Sequence, residues 1–104
     1  MQRMQATELA KYLMTSKPLL VDVREPWEFE ICQLADSINI PMATIPNNLH
    51  QILEADECVI ICHHGVRSMN VIQYLMQQDI DHLINLDGGV DAWAQAVDRD
   101  MALY

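Results

Sequence analysis

The residues best equipped for chemistry are Cys62-His63-His64-Gly65-Val66-Arg67-Ser68. A thiol comes first, with a glycine three positions on and an arginine five positions on. Cysteine reacts as its thiolate, and a nearby helix N-terminus or guanidinium favours that form. Backbone amides just ahead of a helix have no intrahelical acceptor, so several of them can turn toward one anion. Gly65 lets the backbone adopt turns that a Cβ would forbid, which closes such a cradle. Arg67 returns a permanent positive charge to its rim. The segment reads as a nest for a thiolate, a persulfide or a bound oxyanion. Cys62 and Arg67 are its candidate catalytic pair, and His63, His64, Gly65, Val66 and Ser68 line the anion site.

Other residues are weighed against plainer roles. Free cysteine is among the most buried residue types, and Cys32 and Cys58, which lack a following glycine and arginine, read as structural thiols. Arginine opposes the dipole at a helix start, so Arg67 needs a functional reason to be there. Adjacent His63 and His64 suggest a metal, but three consecutive side chains do not readily converge on one tetrahedral ion. Neither a metal nor another cofactor is expected. Their amides belong to the loop, while their imidazoles could tune charge, meet substrate or act as a general base. Asp22 and Arg24 close another apolar stretch and should lie beside the loop as a second layer. A salt bridge of Arg24 to Glu25 or Glu28 is the main reading, and substrate contact the second. His50 and His82 read as ordinary surface or core residues, and Trp27 and Trp93 as packing anchors.

The elements that must hold this loop are legible as alternating patterns. Cys58–Ile61 is an unbroken apolar run, the mark of a strand buried on both faces. Val71, Ile72, Leu75 and Met76 recur at helical spacing after it. The thiol therefore sits outside the carboxyl end of a strand, where open parallel sheets bind ligands. Further strands are expected at Leu19–Val23, 37–40 and His82–Leu86. Helices are expected after Thr7, which can cap one carrying Leu9, Tyr12 and Leu13, at Trp27–Ile31 after Pro26, and after Pro46 with Leu49, Ile52 and Leu53 inward. Another spans Arg67–Gln78, and the last follows Gly88-Gly89 with Val90, Trp93, Ala94 and Val97 inward. Strands separated by helices imply an α/β fold, a parallel sheet with helices on both faces. The 98–104 tail carries no readable pattern.

Composition sets the outer limits. At 104 residues the chain should form one domain over 1–104, and half of its residues are hydrophobic, as a packed core requires. The formal net charge of −9 argues against nucleic acid or an anionic membrane surface as partner. No apolar run approaches the roughly 20 residues that span a bilayer. Cys58 and Cys62 bracket a strand and lie on the order of 13 Å apart, too far for a disulfide. An odd cysteine count, with nothing like a signal peptide at Met1–Gln5, points to a reducing, cytoplasmic setting.

Cys62-x-x-Gly65-x-Arg67-Ser68 resembles the active-site loop of the rhodanese (sulfurtransferase) family. Three more stretches agree in order: Val21-Asp22-Val23-Arg24-Glu25 through Phe29, Ser37-Ile38-Asn39-Ile40-Pro41, and Leu86-Asp87-Gly88-Gly89 through Trp93. Together they cover roughly residues 5 to 97, and four ordered motifs are far more specific than one. The chain departs from the family at 32–37, where Cys32-Gln33-Leu34-Ala35-Asp36-Ser37 stands in place of the usual Gly-His-Ile-x-Gly-Ala. The resemblance implies a rhodanese-like sheet of about five strands and double displacement. Cys62 would take sulfur from a donor such as thiosulfate, become a persulfide, and pass the sulfur to cyanide or a thiol. A protein partner in a sulfur relay fits the same scheme. Cys-x4-Arg is one residue shorter than the Cys-x5-Arg loop of the related phosphatases, which favours a single terminal sulfur over a phosphoryl group. The alternatives are a non-catalytic binding module and, behind it, a phosphatase or arsenate reductase of the same fold.

Overall fold

Val, Ile and Leu dominate the stretches that become strands, because β-branched and apolar side chains suit a sheet covered on both sides. The structure, a computed structural model, describes residues 1–104. Its strands are β1 (Gln2–Met4), β2 (Leu19–Asp22), β3 (Ile38–Asn39), β4 (Cys58–Ile61) and β5 (Leu83–Leu86). They form one sheet in the order β1-β5-β4-β2-β3, and each neighbouring pair is parallel. Helices connect them: α1 (Ala6–Tyr12), α2 (Pro26–Ile31), α3 (Leu49–Glu54), α4 (Val66–Gln77) and α5 (Gly89–Ala96). The α/β architecture, a parallel sheet of five strands with helices on both faces, is as expected.

Alternation along β4 splits the core into two layers, since successive strand side chains point to opposite faces. Cys58 and Ile60 pack with Ile52 of α3 and with Val71, Ile72 and Leu75 of α4. Val59 and Ile61 pack on the other face with Leu9 of α1 and with Val90 and Trp93 of α5. β4 lies at the centre of the sheet, with two strands on either side. Cys62, one residue beyond it, is thus fixed by both core layers.

Several local expectations need correction. β1 went unread because Gln2-Arg3-Met4 is short, polar and at the sheet edge, where one neighbour suffices. Gln5, not Thr7, takes the N-cap of α1, and its N–H donates to the Glu8 carboxylate at 3.1 Å. Pro46 lies inside a 3₁₀ turn at Met42–Asn47 and α3 begins only at Leu49. Ile52 is inward as expected, but Leu53 is exposed. Val97 ends α5 and is also exposed. Trp93 is a packing anchor; Trp27, 59% exposed, is not. In the divergent 32–37 loop, Asp36 adopts φ +66°. It occupies the place of the family's second glycine, and aspartate is among the few side chains that tolerate this left-handed turn.

Candidate active site

Two helix starts build the cysteine loop. The Gly65 N–H donates to Cys62 Sγ at 3.0 Å and the Ser68 N–H at 3.3 Å. Both belong to the first turn of α4 or its cap, where amides have no helical acceptor. Gly65 holds φ +97°, and a Cβ there would lie 3.0 Å from the Gly88 nitrogen. The loop's carbonyls face the other way. Cys62 O accepts the Val90 N–H at 2.9 Å and His63 O accepts the Asp91 N–H at 3.0 Å, so the first turn of α5 grips the back of the loop. Gly89 allows this approach, because a Cβ on it would stand 2.3 Å from Cys62 O.

Behind the thiol runs a chain of polar side chains. Cys62 Sγ lies 3.4 Å from Ser68 Oγ, and the Ser68 hydroxyl donates to Asn85 Oδ1 at 2.5 Å. Asn85 Nδ2 donates to Asp87 Oδ1 at 2.7 Å, and Arg3 Nε reaches both Asp87 oxygens. Ser68 and Asn85 are buried, while Arg3 lies at the surface.

The front of the site is closed by charge and rings. Arg67 makes a two-pronged pair with Glu28, Nη1 to Oε1 at 2.7 Å and Nη2 to Oε2 at 2.8 Å. Glu28 Oε2 also accepts the Tyr104 hydroxyl at 2.7 Å, and Oε1 accepts the Glu25 N–H. The hydrogen bonds from Arg67 come first among the causes that bring the Glu28 carboxyl down to about 2, against the opposing effect of burial. Those same bonds raise Arg67, and the nearby Cys62 sulfur adds to the effect. Burial leads in pushing Tyr104 up to about 12, so its hydroxyl keeps its proton. The Tyr104 ring stacks on His63 at 4.0 Å and meets the edge of Trp27. Burial first, then His64, holds His63 below the usual histidine value, and its ring stays neutral near pH 7.

Arg24 is fully buried on Asp22, with Nη2 to Oδ2 at 2.6 Å. Its other donors reach the Cys32 and Glu28 carbonyls and the Tyr104 hydroxyl. Arg24 therefore does make a structural salt bridge, but to Asp22 rather than to Glu25 or Glu28. Two residues apart at the end of β2, the two side chains can turn back on each other without leaving the strand end. Glu28 is left to Arg67.

Two of the loop's amides face the sulfur, those of Gly65 and Ser68, and no such bond comes from the His63 or His64 amides expected to join them. Val66 is exposed at the start of α4. His63 and His64 stack on each other at 4.0 Å, and their donor atoms and that of Asp91 lie within 4.8 Å of one another. Nitrogen lone pairs lie in the ring planes, so two rings stacked nearly parallel do not aim at a common ion. Cys58 is a buried thiol pushed up to about 12, and all three cysteines are free. His82 is structural, its Nε2 2.8 Å from the Ile52 carbonyl. Sequence reasoning missed Asn85, Asp87, Asp91 and Tyr104. Asn85 had a signal, being a lone amide in an otherwise apolar strand; Tyr104 had none.

A family profile described as rhodanese-like domain matches residues 5–96. The chain belongs to the rhodanese-like domain family. A sulfurtransferase of Allochromatium vinosum is 40% identical over 81 residues, which cover 78% of this chain and 76% of that protein. The adenylyltransferase and sulfurtransferase MOCS3 of Drosophila virilis is 36% identical over 99% of this chain, which spans 25% of that protein's length. Among solved structures, the rhodanese-like domain protein of Staphylococcus aureus superposes with a TM-score of 0.81 at 38% identity, covering 89% of this chain and 91% of that one. The rhodanese-like relatives thus include proteins named as sulfurtransferases, and the sheet and helices match theirs.

Proposed function

We propose that this rhodanese-like domain moves sulfane sulfur through a persulfide on Cys62. The Cys62 thiolate attacks the outer sulfur of a donor such as thiosulfate. The sulfur–sulfur bond of the donor breaks and sulfite leaves with the electron pair. The terminal sulfur, now anionic, sits where the loop amides and Arg67 favour negative charge. A thiol or cyanide then attacks that sulfur, and Cys62 departs as thiolate. The carrying observation is the pair of N–H groups aimed at Cys62 Sγ, at 3.0 and 3.3 Å. A non-catalytic module has no need of donors trained on a buried sulfur.

The reaction needs no cofactor in this scheme. The work is assigned to residues 1–104 as one unit in a reducing, cytoplasmic setting, with free cysteines consistent with it. No helix is long and apolar enough to cross a membrane. The MOCS3 relatives, named for adenylyl and sulfur transfer together, support a protein partner in a sulfur relay. Incubation with thiosulfate should add the mass of one sulfur to the Cys62 peptide, and a thiol should remove it. Cys62→Ser should abolish both the adduct and turnover. Sulfur transfer surviving in Cys62→Ser would defeat the proposal.

A further inference from the structure

The polar chain behind the thiol has a direction, and that direction can be deduced. A carboxylate offers only acceptors, so Asp87 Oδ1, 2.7 Å from Asn85, must face the amide's Nδ2 donor. Asn85 Oδ1 is thereby turned toward Ser68, 2.5 Å away, where only the Ser68 hydroxyl proton can satisfy it. A hydroxyl has one proton. With that proton given to Asn85, Ser68 Oγ presents lone pairs to Cys62 Sγ at 3.4 Å. Such a contact is favourable for a thiol, whose S–H can donate, and unfavourable for a thiolate. The Gly65 and Ser68 amides press the opposite way. To serve the thiolate, Ser68 would have to swing its proton to sulfur and leave Asn85 Oδ1 buried without a partner, which is the costly outcome.

We propose that Asp87 is a positioning residue for the Cys62 nucleophile: acting through Asn85, its carboxylate sets the direction of the Ser68 hydroxyl and restrains the thiolate of the unloaded protein. The loop amides prepare the sulfur to react, while the chain from Asp87 holds part of that reactivity in check. This rests on Cys62 being the reactive thiol, but it can be read without any sulfur donor, so its failure is separable from failure of sulfur transfer.

Asp87→Asn reverses the chain. The new amide frees Asn85 from having to face an acceptor, and with its oxygen kept on Arg3 Nε it turns its NH2 toward Asn85. Asn85 then flips, offers Nδ2 to Ser68, and sends the Ser68 proton to Cys62. The far-ultraviolet thiolate absorbance at neutral pH, corrected against Cys62→Ser, should rise in Asp87→Asn. Alkylation of Cys62 by iodoacetamide, followed on the Cys62 peptide, should quicken by roughly three- to tenfold, the worth of one hydrogen bond. In a Ser68→Ala background the same substitution should change neither readout. Asn85→Leu, which removes the acceptor and keeps the branched shape, should act in the same direction and serves if Asp87→Asn does not fold. Unchanged thiolate signal and alkylation in a folded variant would overturn the proposal. So would an equal gain in the Ser68→Ala background.

Discussion

At Glu28 one carboxylate answers for most of the rim, since it takes Arg67 on two prongs, the Tyr104 hydroxyl and a backbone N–H. Arg67 is consequently a fixed group, aimed and shared, rather than a free cation awaiting an anion. Those bonds hold the Glu28 carboxyl down from the ordinary 4.5 to about 2, so the charged form is the one the fold prefers. The stability it contributes is complete above 4.5 and drains away as the pH falls through about 2. Glu28→Gln should destabilise by about 1–3 kcal/mol at neutral pH, as for a hydrogen-bonded pair that is only partly shielded. In paired thermal melts, the gap to the parent protein should narrow across that acid range. A constant gap would show that the charge is immaterial. The sequence exposes Cys62 and Arg67 because glycine, thiol and guanidinium at that spacing have few other uses. It conceals the pairing of Arg67 with Glu28, because the two meet only when α2 and the start of α4 are brought to the same sheet end.

The elements matter here chiefly through their first turns. α4 spends its unpaired amides on the Cys62 sulfur, and α5 spends its own on the Cys62 and His63 carbonyls. The loop is clamped from both sides, which is how seven residues hold a fixed cup. Gly89 is the narrowest point of that clamp, at φ +59° with loop carbonyls where its Cβ would be. Gly89→Ala should destabilise by about 2–4 kcal/mol, as backbone strain and overlap combine. Persulfide formation should fall more than the melting temperature alone explains, and single-turnover loading below the melting transition measures this. The strand-and-helix alternation is legible because strands buried on both faces are long apolar runs, and α4 and α5 show clear periodicity. β1 is hidden by its polarity, and the start of α3 by a proline that serves a 3₁₀ turn instead.

For the molecule as a whole, the two core layers divide labour. Leu75 is fully buried in the core layer under α4, near the end of that helix away from the loop. Leu75→Ala should cost about 2–5 kcal/mol by the cavity it leaves. Urea unfolding should report that loss, while sulfur transfer per folded molecule at low temperature stays near that of the parent. The fold class follows from the sequence because a central apolar strand flanked by βα units admits few other topologies. The position of the tail does not, for nothing in residues 98–104 announces a destination.

That destination has a practical consequence. Tyr104 lies over His63 with its hydroxyl between Arg24 and Glu28, so whatever is fused behind it emerges at the doorway to Cys62. A purification handle attached there would crowd incoming donors and lever the ring off its neighbours, so kinetic comparisons are better made with the handle at the opposite terminus or cleaved away.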